Sequence, residues 1–262
     1  RDYYASRGLG DVYKRQALIF TFLKPAPPEW KAGLPGSTSQ PKDSTVKHKQ
    51  AEVLKNPMIW MLALASAFMY ISRYAVNSWG VYYFEIEKSY NIVTASTLVS
   101  VSSVCGIVGT VFSGLISDKM FRSNRTIPAC LSSLLNLAAL ALFLFGPRQC
   151  EILDIISMIL FGISIGILLC FLGGLMAIDI APKEATGAAV GVIGIASYAA
   201  AGLQDVVSGF LIESRKAIVD GNPVYDFSAI RIFWLSAALV SLLFLLIIWG
   251  ARKKHVSSNI HY

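Results

Sequence analysis

Six long apolar runs constrain this sequence more than any other feature. An α-helix needs about 20 predominantly apolar residues to cross a bilayer. We predict spans at 57–84, 93–116, 127–146, 152–178, 186–212 and 229–251. The composition agrees, because only 15% of the residues are charged, whereas a soluble domain usually has about 25%. The chain is therefore predicted to be an all-α, polytopic membrane protein, and a soluble enzyme is not expected.

The distribution of Lys and Arg predicts the orientation. An even number of spans places the segment before the first span and the tail after the last on the same side. That side carries thirteen Lys or Arg residues and the opposite loops carry five, counted from residue 24 onward and leaving out Arg73 within the first span. Because cytoplasmic loops are enriched in Lys and Arg, we predict a multi-pass protein of the cell (inner) membrane with both segments cytoplasmic. The net charge of +7 is explained by this bias, and we expect no nucleic-acid partner.

The ends of the chain predict further divisions. The stretch Asp11–Gln16 resembles a reading frame of a transposon end used in library preparation, so we expect residues 1–16 to be an artefact. Residues 17–23 are apolar but too short to span, and we interpret them as the end of a preceding transmembrane helix. The expected organisation is completed by a proline-rich cytoplasmic linker with a short helix before Asn56, a six-helix bundle and a tail, at 24–56, 57–251 and 252–262.

Residues for catalysis or metal binding are not found in the sequence. The three histidines lie in the linker and the tail. The four cysteines lie in apolar segments without metal-type spacing or close pairing, so we interpret them as small buried residues. With no nucleotide-binding loop or catalytic triad either, we predict that the protein is not an enzyme and uses no metal or cofactor.

A polar stripe runs along the first span, and Arg73 is its central residue. At 100° per residue, one face collects Ser66, Tyr70, Arg73, Asn77 and Gly80. A guanidinium in mid-span is costly unless it faces a partner or a water-filled cavity. Two interpretations stay open: a structural pair with a carboxylate on another helix, or a group that binds phosphate or carboxylate through its planar fork.

The fifth span has a second stripe with a different composition. One narrow arc holds Gly187, Gly191, Gly194, Tyr198, Gly202, Asp205 and Gly209. We interpret the glycines as a close helix-packing surface. Tyr198 and Asp205 are candidates for lining a pathway or binding substrate, with a pair between Asp205 and Arg73 as the alternative for the carboxylate. In the second span, Ser102, Gly106, Gly109 and Ser113 predict close packing.

The loop after the second span completes the candidate site residues. It places an acidic residue before spaced cations, which can clamp helix ends through charge and dipole contacts. We single out Gly114, Asp118, Lys119, Arg122 and Arg125. An ordinary positive-inside loop is the alternative interpretation.

These residues carry a resemblance to a known family. The pattern Gly114-x-x-Ser117-Asp118-Lys119 with Asn124-Arg125 resembles the cytoplasmic signature loop of the major facilitator superfamily, in its form between the eighth and ninth helices. The segment Tyr70-x-x-Arg73-Tyr74 and the segment Ala181–Ala185 with the glycine helix that follows resemble the organophosphate:phosphate antiporter branch. The resemblance covers about residues 17–254 and corresponds to the C-terminal half of such a transporter.

The resemblance implies a function and partners. It implies exchange of a phosphorylated metabolite, such as glycerol-3-phosphate or a sugar phosphate, for inorganic phosphate by alternating access. Arg73 would grip the phosphate together with an arginine of the N-terminal half, and Tyr70 and Tyr198 would line the cavity. Asn77, which shares the polar stripe of Arg73, is a further candidate for substrate binding. The implied partners are the bilayer and that missing six-helix half. The chain departs from the family at Ile167–Cys170, where an aromatic-Gly-Pro stretch is common.

Two alternatives to transport remain open. The same branch includes a membrane sensor of hexose phosphate that signals to a two-component kinase, and this half does not separate the two activities. A free-standing six-helix channel or membrane enzyme is the third interpretation.

Overall fold

The computed structural model describes residues 43–120, 125–219 and 222–258. The predicted segments 1–16 and 17–23, and residues 24–42 of the linker, lie outside the described residues. Contacts divide the chain into two units at Thr45, and every span lies in the second unit. The helices are α1 Asp43–Lys55, α2 Pro57–Ile86, α3 Ile92–Met120, α4 Thr126–Phe145, α5 Glu151–Cys170, α6 Met176–Ile180, α7 Thr186–Ser214 and α8 Ser228–Ser258, and the strands are β1 Lys216–Val219 and β2 Asn222–Tyr225.

Six helical segments of the described chain are long and apolar enough to cross a membrane, which confirms the predicted number of spans. They are Pro57–Ile86, Ile92–Leu115, Thr126–Phe145, Glu151–Ile180, Lys183–Ser214 and Ser228–Arg252. The fourth is not a regular α-helix. Between α5 and α6 it contains a π-helical turn at Phe171–Leu175, which includes Gly173 and Gly174. The sequence analysis did not predict this change of helical pitch.

The linker ends in a helix, as the sequence predicts. Helix α1 stops at Lys55, and Asn56 caps the next helix by accepting a hydrogen bond at 2.9 Å from the Met58 N–H. Pro57 suits the first position of α2, because its missing N–H would have no partner there. An ion pair of 3.2 Å between Lys49 and Glu184 ties α1 to the 3₁₀ turn Lys183–Ala185 before α7.

Helix α2 is the centre of the bundle. It packs mainly against α7 and α8 and also contacts α3, while α5 packs against α3 and α4, and α4 contacts α8. Near its end, a buried aromatic cluster joins α2, α4 and α8. The centroid of the Tyr83 ring lies 4.9 Å from that of Phe143 and 5.3 Å from that of Phe227. The Tyr83 hydroxyl also donates a 2.7 Å hydrogen bond to the carbonyl of Leu144, so this polar group is satisfied in the core.

A short β-hairpin connects α7 and α8, and the sequence analysis did not predict it. Strands β1 and β2 pair antiparallel, with Lys216 opposite Tyr225. The hairpin is followed by Asp226, which caps α8. The pKa of Asp226 lies below its usual value because the carboxylate accepts hydrogen bonds from the backbone N–H and hydroxyl of Ser228, and then from Arg215.

Within the described residues, most glycines of the fifth span have no packing partner. A Cβ atom built on Gly187, Gly191, Gly194 or Gly202 would meet nothing within 4 Å there. Of the stripe's glycines in the described chain, only Gly209 meets a neighbour, the ring of Trp79 at 3.6 Å. The close packing predicted for this stripe therefore stays a prediction, because the described residues do not cover most of the glycine face of α7.

The packing predicted for the second span is confirmed at its crossing with α5. A Cβ on Gly109 would lie 2.3 Å from the carbonyl oxygen of Ile163, and one on Gly166 would lie 2.1 Å from that of Gly106. Helices α3 and α5 therefore approach backbone to backbone, which only glycine permits at these positions.

Candidate functional site

A cavity opens between α2, α3 and α5, beside the close crossing of α3 and α5. Its volume is about 320 Å³, at the lower end of the usual range for ligand sites. Helix α2 contributes Arg73 and Asn77, and helix α3 contributes three hydroxyl side chains, Ser102, Ser103 and Thr110. The wall formed by α5 is mostly apolar, apart from backbone groups at Gly162 and Gly166. The cavity therefore combines one cation with several hydrogen-bonding groups.

Arg73 lies near the middle of α2 and is half-buried. No carboxylate of the described residues lies within ion-pair distance of it. Its guanidinium carbon instead lies 5.5 Å from the ring centroid of Tyr70 and 5.4 Å from that of Tyr74. Cation–π contacts of this kind stabilise the charge without neutralising it. The guanidinium thus keeps its capacity to bind an anion.

The two predicted tyrosines lie together. The ring of Tyr198 on α7 meets that of Tyr70 on α2 edge to face, with centroids 5.4 Å apart. Tyr70 is buried, whereas 62% of Tyr198 is exposed. A hydrogen bond of 2.7 Å between the hydroxyls of Ser66 and Ser197 joins the same two helices one turn away. These contacts bring Tyr70, Arg73 and Tyr198 into one continuous group.

Asn77 and Asp205 have different positions. Asn77 is exposed and lines the cavity one turn beyond Arg73. Asp205 is half-buried, does not line the cavity and forms no ion pair with Arg73. One of its carboxylate oxygens, Oδ1, is buried without a hydrogen-bond partner among the described residues. The alternative pairing of Arg73 with Asp205 is not formed in this structure.

Three cavity residues had no place in the predicted site. Ser102 was interpreted only as a packing residue, and Ser103 and Thr110 were not singled out. The hydroxyl of Thr110 donates to the carbonyl oxygens of Gly106 at 2.9 Å and of Gly166 at 3.1 Å, so it also fastens the α3–α5 crossing. A signal was present, because Ser102, Gly106 and Thr110 repeat every four residues and share one face of α3.

The segment predicted as the signature loop is partly helical: Gly114, Asp118 and Lys119 lie in the last turns of α3, and Arg125 directly precedes α4. Arg125 donates hydrogen bonds of 2.8 Å to the carbonyl of Leu175 and to the carboxylate of Asp179. It therefore joins the start of α4 to the π-helical turn and to α6. Gly114 is half-buried and Lys119 is exposed, whereas Arg122 and the side chain of Asp118 lie outside the described residues.

A cluster of ion pairs at the opposite ends of the helices was not predicted. Lys88, in the turn after α2, pairs with Asp154 in the first turn of α5, and both are buried. Tyr90 donates a 2.9 Å hydrogen bond to the same carboxylate, and burial together with this bond raises the pKa of Tyr90. Nearby, Glu87 pairs with Arg231 and, at 3.0 Å, with Arg148.

The family is decided by a comparison of sequences. The sequence profile described as Major Facilitator Superfamily matches residues 16–204. The chain belongs to the major facilitator superfamily. The relatives reported next are named as a transporter, a sensor and an antiporter rather than as enzymes, in agreement with the prediction that the chain is not an enzyme.

Three relatives are similar to the chain, and two of them are named for phosphorylated compounds. It is 29% identical over 225 residues to the glycerol-3-phosphate transporter of Bacillus subtilis (strain 168), over 83% of this chain and 48% of that protein. It is 33% identical over 156 residues to the membrane sensor protein UhpC of Salmonella typhimurium, over 58% of this chain and 34% of that protein. It is 28% identical over 176 residues to the hexose-6-phosphate:phosphate antiporter of the same organism, over 66% of this chain and 35% of that protein. The chain thus spans less than half the length of these superfamily relatives.

Proposed function

We propose that this chain is the C-terminal half of a membrane transporter that exchanges a phosphorylated small metabolite for inorganic phosphate. The substrate class is glycerol-3-phosphate or a sugar phosphate, the compounds for which relatives are named. The protein would lie in the inner membrane, with the linker and the tail cytoplasmic. The thirteen-to-five asymmetry of Lys and Arg supports this orientation.

The proposal rests on the position of Arg73 and on the groups that surround it. It is a mid-span arginine on a cavity wall, and no described carboxylate neutralises it. Keeping such a charge within a membrane is costly, so a bound anion is the simplest compensation. The planar guanidinium matches two oxygens of a phosphoryl group in a bidentate manner.

The other predicted residues take complementary roles in this proposal. Tyr70 and Tyr74 hold the guanidinium in place through their rings, and Tyr198 presents a hydroxyl beside them. Asn77 offers hydrogen bonds to oxygen atoms of the substrate within the cavity. Asp205 does not line the cavity in this structure, and its carboxylate would repel a phosphoryl group. We therefore propose that, if it contacts substrate in another state of the transport cycle, it accepts hydrogen bonds from hydroxyl groups on the carbon skeleton.

Alternating access requires a second half, and two helices provide faces for it. Helices α3 and α7 are the most exposed spans of the described chain, with apolar side chains such as Val111 and Phe210 uncovered. A rocking motion of two halves about a central site is the usual mechanism in transporters of this architecture. We propose that the missing N-terminal half covers these faces and supplies a second arginine to the phosphate. Gly114, Asp118, Lys119, Arg122 and Arg125 would then control the cytoplasmic ends of the helices.

A test of the exchange uses the full-length protein in liposomes loaded with inorganic phosphate. Uptake of external radiolabelled phosphate by counterflow, inhibited by glycerol-3-phosphate or a hexose phosphate, is the expected result. Counterflow that no organophosphate inhibits would contradict the substrate class. Absence of counterflow, with the protein shown to be folded and inserted, would contradict exchange.

A membrane sensor is the second candidate function, and the similarity to the sensor proteins favours it. In that case the same cavity would bind a hexose phosphate and the signal would pass to a partner kinase. A sensor would bind the sugar phosphate without supporting counterflow. Binding of a labelled hexose phosphate to the purified protein, measured beside counterflow on the same preparation, separates the two functions.

A further inference from the structure

An apolar groove of about 250 Å³ lies between α4 and α8, away from the Arg73 cavity. Helix α4 contributes Ile127, Cys130, Leu131 and Leu134, and helix α8 contributes Leu242, Leu246 and Trp249. Its surface is almost wholly apolar, and Leu131, Leu134 and Trp249 are exposed. Neither α4 nor α8 carries the open faces assigned to the second half.

One end of this groove is positively charged. Arg252 lies one helical turn beyond Trp249 and donates a 3.1 Å hydrogen bond to the hydroxyl of Thr126, the residue before the first groove residue of α4. No carboxylate of the described residues forms an ion pair with Arg252. Arg252 is also the last residue of the sixth apolar helical segment. The groove therefore ends beside a cation at the end of a candidate membrane span.

The apolar groove and the cation at its end together fit one kind of ligand. An apolar groove fits an acyl chain, and Trp249 stands at the end of the groove near Arg252, as is usual for Trp side chains at the level of the lipid headgroups. An arginine that has no ion-pair partner among the described residues attracts an anionic headgroup. We propose that the groove between α4 and α8 binds an anionic phospholipid of the leaflet on the tail side, with an acyl chain against Leu134 and Leu246 and the phosphate at Arg252.

The test measures which lipid the full-length protein retains. Purified protein is equilibrated in detergent with equal amounts of dioleoyl phosphatidylglycerol and dioleoyl phosphatidylcholine, and bound lipids are counted by native mass spectrometry. The wild type is expected to retain phosphatidylglycerol in preference. Arg252→Gln should lower that preference about fivefold, the effect of one basic residue near an anionic surface. Arg252→Lys should keep most of it.

Two further variants separate the site from general charge effects. Arg215→Gln removes an arginine at the hairpin end, where it pairs with Asp226, and should leave the preference unchanged. Leu134→Phe fills the groove and should reduce retention of both lipids. Equal preference in Arg252→Gln and wild type, or an equal loss in Arg215→Gln, would overturn the proposal. Unchanged retention in a monodisperse Leu134→Phe protein would do the same.

A second measurement detects the lipid beside the groove by fluorescence. Brominated phosphatidylglycerol in vesicles should quench the fluorescence of Trp249, obtained as the difference between wild type and Trp249→Phe, more strongly than brominated phosphatidylcholine does. Equal quenching by the two lipids would refute a preference for the anionic headgroup. Both measurements concern bound lipid, so neither depends on whether the protein transports.

Discussion

The ammonium group of Lys88 and the carboxylate of Asp154 form an ion pair whose side chains are only 2% and 1% exposed. The pair joins the turn after α2 to the first turn of α5. The rings of Phe84 and Phe143 lie 5.7 and 5.6 Å from the ammonium nitrogen. In such apolar surroundings, either charge without its partner would be strongly disfavoured.

Removal of one member of this pair should therefore destabilise the protein. We expect Lys88→Met to lower the free energy of unfolding by about 3–5 kcal/mol, and the double variant Lys88→Met/Asp154→Leu to lower it by less. Unfolding of the full-length protein in mixed micelles measures both. Arg148→Gln is the control, since the arginine side chain is 70% exposed and an exposed pair contributes about 1 kcal/mol or less. A Lys88→Met variant as stable as this control would refute the prediction.

The crossing of α3 and α5 predicts that alanine is tolerated at one glycine, Gly250, and not at another, Gly166. A Cβ at position 166 would lie 2.1 Å from the Gly106 carbonyl oxygen and 2.9 Å from the Thr110 nitrogen, and both are backbone atoms that cannot rotate away. Gly166→Ala should separate the helices and lower the midpoint temperature of unfolding, with loss of transport because the Arg73 cavity is adjacent. Gly250→Ala, where nothing lies within 4 Å, should be neutral or slightly stabilising. Equal midpoints for the two variants would contradict the crossing.

The sequence predicted the features that depend on composition and local periodicity. The six spans follow from hydropathy, and the start of the first span at Pro57 follows from the polar cap before it and from the proline itself. Close packing at Gly109 was predicted because small residues at helical spacing permit contact. The stripe on α2 correctly grouped Arg73 with Asn77 on the cavity wall.

Features that depend on which helices become neighbours were not predictable. Glycines at 187–202 have the same spacing as those that pack, yet α7 presents them to open space in the described chain. The ion pair of Lys88 with Asp154 joins residues 66 positions apart. No local pattern in the sequence indicates a contact between residues that are so far apart along the chain. The hairpin was missed because its two strands are only four residues each.

The proposed orientation predicts opposite labelling of two engineered cysteines. In a background with the four native cysteines replaced by alanine, Ser39→Cys should resist a membrane-impermeant maleimide added to intact cells. Ile218→Cys in the hairpin, where the isoleucine is 76% exposed, should react. Permeabilised cells should label both variants. Labelling of Ser39→Cys in intact cells, with Ile218→Cys protected, would reverse the orientation.

Substitution of Asp205 distinguishes between two roles for Arg73, which are phosphate binding and charge balance. If the arginine served only to balance this carboxylate in another state of the transport cycle, the double variant Arg73→Gln/Asp205→Asn should restore near-normal exchange. If Arg73 holds the phosphoryl group, the double variant should remain inactive, because removal of the carboxylate supplies no new phosphate ligand. Phosphate counterflow by the double variant, beside each single variant, distinguishes these outcomes.

The most direct test of the account is the counterflow of phosphate by Arg73→Lys in proteoliposomes. Lysine keeps the positive charge but loses the bidentate fork. Loss of one charge-assisted hydrogen bond, about 1.5–3 kcal/mol, should lower the affinity for phosphate roughly ten- to a hundredfold. We predict that the exchange rate at subsaturating phosphate falls by a similar factor, while the variant inserts and unfolds like the wild type. Wild-type exchange by Arg73→Lys would remove Arg73 from the substrate site and contradict the proposed function of the cavity.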